Sequence, residues 1–272
     1  MEMENSQNHS VLHWNETFEN SADCHLIGEE PLSIRLQGNP YSVVMRTPGD
    51  EIAHVAGFCL GEGIVDSPDD FTTIAFCDDV DTNVVAVTLK PERRAGISEI
   101  LDRRGFISQT SCGLCGKEIV EDLYQTLKPI EDDGKMDIKK AAACMDRLPE
   151  LQPLRQKTRA AHAAVIYDSD FNLLSSAEDV GRHNALDKAV GKLFLNGNLS
   201  KASLLVLSSR ISYELVQKAA RARIPIILAM SRPTALAVDL ASKLNMTLGC
   251  ESDGEGLYVF CGSQRLPSVK SP

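Results

Sequence analysis

The residues best suited to covalent chemistry stand in ISQTSCGLCGKEIVEDL, residues 107–123, where Cys112 and Cys115 are separated by two residues in a setting of glycine, serine and threonine. Such a pair admits three chemistries: half of a zinc site, a dithiol–disulfide couple, or a nucleophilic thiol that carries a group on sulfur. A structural zinc site needs four ligands, and no second Cys-x-x-Cys is present; distant Cys77 or His54 would have to complete it. A zinc deaminase needs His-x-Glu upstream of the pair, but His54 is followed by Val-Ala, His162 by Ala-Ala and His183 by Asn-Ala. No structural zinc is expected.

A thiol oxidoreductase places its pair after a core strand at a helix start, where the helix dipole lowers the first thiol's pKa. The stretch KEIVEDLYQTLKPI puts Ile119, Leu123, Tyr124 and Leu127 on one helical face, so the helix is there, and Lys117 adds positive charge. The flanking glycines instead suit a loop that reaches, and the third reading is a thiolate on a mobile loop, 107–117, that visits two sites in turn. In that reading Cys115 assists release by attacking a persulfide and closing a disulfide.

The elements that position these residues follow from periodicity. Residues 1–22 are polar and irregular and read as a flexible tail. A smaller α+β part, 23–150, then carries the cysteine loop: a hairpin near 32–36 and 41–46 around Gly-Asn-Pro, a helix capped by Asp50, strands in FTTIAFCDD and NVVAVTLK, short helices in ISEILDRRGF and after the loop, and a helix near 137–148. From 151 to 272 strand and helix alternate, which predicts an α/β domain with a mostly parallel sheet covered on both faces. Ligands then bind outside the carboxyl ends of the strands, where SSAEDVGRHN, SSRIS, MSRPT and GCESDGEG gather the polar residues of this half.

With 272 residues, 43% of them hydrophobic, the chain can build a sizeable core. A net charge of −10 argues against nucleic-acid binding through overall charge, though a local basic pocket is compatible with it. No apolar run is long enough to span a bilayer, IPIILAM at 224–230 being the longest, so the expected setting is the cytoplasm. The eight cysteines lack framework spacing, which in a reducing compartment reads as free thiols.

Five stretches in order, GFCLGEGIV, TSCGLCG, EDVGRHNALDKAVG, SSRISYELVQKAA and PTALAVDLA running into LNMTLG, resemble the formate dehydrogenase accessory sulfurtransferase family, FdhD. The similarity runs from about residue 30 to 260. It implies a cytidine-deaminase-like three-layer α/β/α fold used as a homodimer. It also implies a sulfur relay: a cysteine desulfurase loads a persulfide, and the sulfur passes to the bis(molybdopterin guanine dinucleotide) molybdenum cofactor of formate dehydrogenase. By motif position Cys112 forms the persulfide, with Cys115 as assisting thiol. Arg182, His183, Ser209, Arg210 and Thr234 become candidates for holding the cofactor. The family's Gly-Phe and basic residues after the last core strand correspond here to Gly249, Cys250, Glu251, Ser252, Asp253, Gly254 and Glu255, a departure that exchanges cations for carboxylates able to accept hydrogen bonds from guanine. The competing classes are a thiol-disulfide oxidoreductase and a non-catalytic cofactor chaperone.

Overall fold

The computed structural model describes residues 5–15, 19–77, 82–96, 127–131, 134–254 and 256–267. Three sheets organise them. Residues 6–27, most of them read as tail, form the hairpin of β1 (Ser6–Trp14) and β2 (Glu19–Ile27), held by a full antiparallel ladder. Polar cross-strand contacts such as Ser10 Oγ to Ser21 Oγ at 3.0 Å support it in place of an apolar period.

The second sheet has the order β4-β3-β6-β5, from β3 (Glu30–Leu36), β4 (Asn39–Arg46), β5 (Phe71–Phe76) and β6 (Val84–Leu89). Leu32, Ile34, Val85 and Val87 alternate with more exposed residues and are essentially fully buried, each worth about 1.5–3 kcal/mol of apolar transfer. The β3–β4 turn falls one step earlier than Gly-Asn-Pro suggested. Gln37 and Gly38 both have positive φ, 54° and 82°, as a two-residue hairpin loop requires, and Pro40 sits in an edge strand that tolerates a missing donor.

Helix α1 (Glu51–Gly61) packs beneath this sheet. Asp50 occupies its cap position but does not cap it, because φ of 61° takes the residue out of the extended region that capping needs. Its carboxylate pairs instead with Lys192 at 2.7 Å. A short helix α2 (Pro91–Gly96) and then α3 (Ile138–Asp146), capped by Asp137, and α4 (Pro153–Thr158) follow.

The third sheet has six strands in the order β12-β11-β10-β9-β7-β8: β7 (His162–Tyr167), β8 (Leu173–Asp179), β9 (Leu204–Leu207), β10 (Ile226–Ala229), β11 (Thr247–Glu251) and β12 (Leu257–Cys261). Helices α5 (Arg182–Leu195), α6 (Tyr213–Arg221) and α7 (Ala235–Lys243) link the central strands. The sheet is mixed: β9, β10 and β11 are parallel, while β7–β8 and β11–β12 are hairpins, since their short connections can only return antiparallel. Ala164, Ile166, Leu205, Ile227 and Leu248 face α1, α5, α6 and α7, and Val165, Tyr167, Val206 and Leu228 face α3. This is the three-layer α/β/α arrangement, and covering on both faces explains why β9 reads Leu-Leu-Val-Leu without alternation. The larger core cluster runs from Leu32 to Leu248, so the parts on either side of residue 150 share one apolar interior. Among the described residues no helix is long and apolar enough to cross a membrane.

His54 of α1 is fully buried, and neither ring nitrogen has a hydrogen-bond partner. The nearby Asn184 amide nitrogen is engaged with Met45 O and Asp179 Oδ1. Burial, then the cations Lys188, Lys218 and Arg46, hold the His54 pKa well below its usual value. An unfolded chain therefore takes up a proton below about pH 6.5 that the folded chain refuses, and each pH unit of acidification costs about 1.4 kcal/mol through this group. Denaturant melts at pH 7.5 and 5.5 should show His54→Leu losing about 1.4 kcal/mol less than the parent. An equal acid loss in both proteins would mean that His54 accepts the proton in place.

Candidate functional site

Register places the polar loops together. Leu207 of β9 lies opposite Ala229 of β10, which lies opposite Cys250 of β11; Ala164 of β7 lies opposite Leu207, and His162 opposite Asp179 of β8. The carboxyl ends of β8, β9, β10 and β11 thus open on one edge, with the start of β7 among them. Four of the motifs that the sequence pattern singled out meet there.

In Glu178-Asp179-Val180-Gly181-Arg182-His183 the two carboxylates are structural. Glu178 accepts from the Leu154 and Arg155 amides, both at 2.8 Å, and so holds the start of α4. Asp179, with no exposed surface, accepts from the amides of Thr47 at 3.0 Å and Gly181 at 2.8 Å and from Asn184 Nδ2 at 2.9 Å, and pairs with Lys188 Nζ at 2.7 Å. Lys188 in turn donates to Thr47 O, and Val180 N donates to Thr47 Oγ1. This network fixes the turn that presents Arg182 and His183 at the start of α5.

Arg182 is half-buried, and its Nε has no partner. His183 Nε2 stands 3.3 Å from Ser212 Oγ and 3.3 Å from Glu214 Oε2, joining the β8–α5 turn to the β9–α6 turn. Burial pulls the His183 pKa down to about 4 against the opposing pull of Glu214, so the ring is neutral at pH 7 and acts as a hydrogen-bonding group.

Ser209 is buried and its hydroxyl donates to Arg210 O at 3.0 Å, while Arg210 is exposed. Ser212 stands at the cap position of α6 without capping it. Thr234 caps α7, its Oγ1 accepting from Ala237 N at 3.3 Å. Cys250 is fully buried within β11, where burial pushes its thiol pKa up, so its side chain faces the sheet interior. Glu251, Ser252, Asp253 and Gly254 enter the β11–β12 turn, closed by Ser252 N to Gly256 O. Asp253 binds Arg232 at 2.6 Å, and that guanidinium lies over the Tyr258 ring, so its carboxylate is neutralised locally. Glu255, Cys112 and Cys115 lie outside the described residues, as do the expected helix over ISEILDRRGF and most of the one after the cysteine loop.

Sequence reasoning missed several residues that shape this edge. Lys188, Asp187 and Lys218 look like solvated helix charges, yet all are buried, with Lys218 Nζ at 2.8 and 2.9 Å from the Asp187 carboxylate oxygens. Thr47 reads as a turn residue before Pro48. A cleft of about 310 Å³ also opens here between Ser208 and Met230 on one side and Gln152, Arg155 and Arg159 on the other. Its lining from Leu148 to Arg159 falls in a short connecting stretch with no motif of its own.

Comparison with known proteins accords with this architecture. Over 251 residues the chain is 40% identical to a protein of Streptomyces coelicolor named sulfur carrier protein FdhD, covering 89% of this chain and 88% of that one. It is 36% identical to the protein of the same name from Anaeromyxobacter dehalogenans, with coverage of 88% and 87%. Its fold matches the crystal structure of a chain assigned as a formate dehydrogenase accessory protein from Desulfotalea psychrophila, with a TM-score of 0.77 over 96% of this chain and 99% of that one at 23% identity. The family model described as FdhD/NarQ family matches residues 27–267, which takes in both larger sheets and every polar loop at the shared edge, and the chain belongs to that family.

Proposed function

We propose that this chain is a sulfur carrier serving formate dehydrogenase, with Cys112 as the group that holds sulfur. The observation that carries the proposal is 40% identity, over nearly the whole length, to a relative named as a sulfur carrier, in a chain bearing Cys112-x-x-Cys115. The Cys112 thiolate attacks the outer sulfur of a persulfide on a cysteine desulfurase; the new S–S bond forms as the old one breaks, and the desulfurase leaves as a thiolate. For release, the Cys115 thiolate attacks the Cys112 sulfur. The terminal sulfur departs as hydrosulfide, and the resulting Cys112–Cys115 disulfide is reduced by a thiol before the next turn.

The recipient in this reading is the bis(molybdopterin guanine dinucleotide) form of the molybdenum cofactor, handled as cargo in the cytoplasm by a homodimer. The shared strand edge has chemistry suited to it: Arg182 and Arg210 are cations available to phosphate, the uncapped start of α6 offers backbone N–H groups, and carboxylates in the β11–β12 turn can accept from guanine. Incubation with a cysteine desulfurase and cysteine should add the mass of one sulfur atom to the peptide bearing Cys112, and Cys112→Ala should abolish the addition. Sulfur bound equally well by Cys112→Ala would refute this assignment.

A further inference from the structure

The β1–β2 ribbon stands ahead of the family match, which begins at residue 27. A two-stranded ribbon is marginal in water unless a further strand or a helix supports it. Here β2 lies against α4, and β1 has no strand on its other side among the described residues. Leu12 and Trp14 share one face of β1 and are 68% and 66% exposed, more than any other large apolar side chain among the described residues.

A free strand edge invites pairing with another chain, and the edges of the two larger sheets are blunted against it. β4 carries Pro40 and is irregular where it meets β3; β5 shifts register between Phe71 and Thr73; β12 is bulged opposite Leu248 and Gly249. β8 ends in two carboxylates, and Lys192 Nζ donates to its Ser176 O at 3.1 Å. β1 has none of these devices. Its nine-residue ladder with β2 is unbroken, and residues 5–15 include no Pro, Asp, Glu, Lys or Arg. In a chain of net charge −10 that uncharged stretch is where a second copy approaches against the least repulsion.

We propose that β1 is the contact between two copies of this chain, the two strands pairing antiparallel about a two-fold axis at Leu12 and joining their ribbons into one four-stranded sheet. That axis sets Leu12 opposite the partner's Leu12, Trp14 opposite the partner's Ser10 and Val11 opposite the partner's His13. Trp14 also reaches the partner's Leu12 on the diagonal, so the four exposed apolar side chains cover one another. An axis at His13 would pair only three residues of each strand, because β1 ends at Trp14, and an axis at Ser10 would set Leu12 against Asn8. The inference deepens the homodimer of the proposed function by naming its face; it rests on that assembly and not on sulfur transfer.

Sedimentation of the full chain and the emission of Trp14, its only tryptophan, test it. The parent should run as a dimer that dissociates on dilution, with the Trp14 emission moving to longer wavelength as the ring returns to water. Leu12→Lys sets like charges opposite each other and should weaken association roughly a hundred-fold, leaving a folded monomer, since Leu12 faces solvent in the single copy. Leu12→Glu should do the same, and an equal mixture of the two variants should dimerise again, because the axis places residue 12 against itself. A mixture that stays monomeric overturns the proposal. So does association that survives Leu12→Lys but falls with Phe260→Lys, at another exposed apolar position. A parent monomeric at every concentration sinks the homodimer and this face with it; a dimer indifferent to position 12 sinks the face alone. Cys112 stands as carrier in either case.

Discussion

Gly57→Ala is expected to lower the melting temperature by roughly 4–8 °C, although alanine is the better helix former by about 1 kcal/mol. Gly57 of α1 lies where that helix crosses α5, and a Cβ there would stand 1.9 Å from Asp187 O. The contact is reciprocal, because a Cβ on Gly191 of α5 would stand 1.8 Å from Ala53 O. Neither neighbour is the end of a flexible side chain. Both are backbone carbonyls inside helices, so relief requires the two helices to separate. Overpacking of this kind costs about 3 kcal/mol, the upper end of the usual range, which outweighs the propensity gain and sets the sign. Gly191→Ala should behave alike, and the double variant should lose less than the sum, since each substitution already opens the same crossing. A Gly57→Ala protein that melts at or above the parent would mean that the helices do not approach this closely.

Much of this architecture is legible from period and turn chemistry. β3, β4, β6 and the helices α5, α6 and α7 announce themselves through alternation or helical spacing, and the rhythm of apolar strand then polar loop locates the shared edge. What is not legible depends on contacts distant in sequence. The Asp187–Lys188 step looks like solvated helix surface, but α5 is covered by α1 and α6 on one side and the six-stranded sheet on another, so both charges are interior: Asp187 pairs with Lys218, 31 residues away, and Lys188 pairs with Asp179 and also donates to Thr47 O, 141 residues away. The β1–β2 hairpin carries too few apolar residues for a strand period to register; its ladder, not burial, defines it. Asp50 has the right residue type for a cap, yet a left-handed backbone redirects it to Lys192. The cleft residues Gln152, Arg155 and Arg159 carry no spacing signal because three different features position them: a 3₁₀ turn, a six-residue helix and that helix's left-handed end.

The second large effect is expected at Asp179. Asp179→Asn preserves shape but removes the negative charge that faces Lys188, and both side chains have essentially no exposed surface. An ammonium left in the interior without its counter-ion costs about 3–5 kcal/mol, so equilibrium unfolding should register a loss of that size. Lys188→Met on its own leaves the carboxylate with three hydrogen bonds, from Thr47, Gly181 and Asn184, and should cost less. The double variant Asp179→Asn/Lys188→Met should recover most of the loss, because the penalty arises from the unpaired charge and not from the absence of the pair. The same substitutions separate stability from function. Thr47 and Asp179 anchor the turn that presents Arg182 and His183. The double variant should therefore regain most of its unfolding free energy while only one of the Gly181 and Thr47 amides, which meet different oxygens of the carboxylate, keeps an acceptor, and that a neutral amide oxygen. Amide hydrogen exchange at those two positions should then remain faster than in the parent. Full recovery of both stability and protection would show that the carboxylate's charge serves Lys188 alone; failure of the double variant to recover stability would place the cost in the lost hydrogen bonds to the turn.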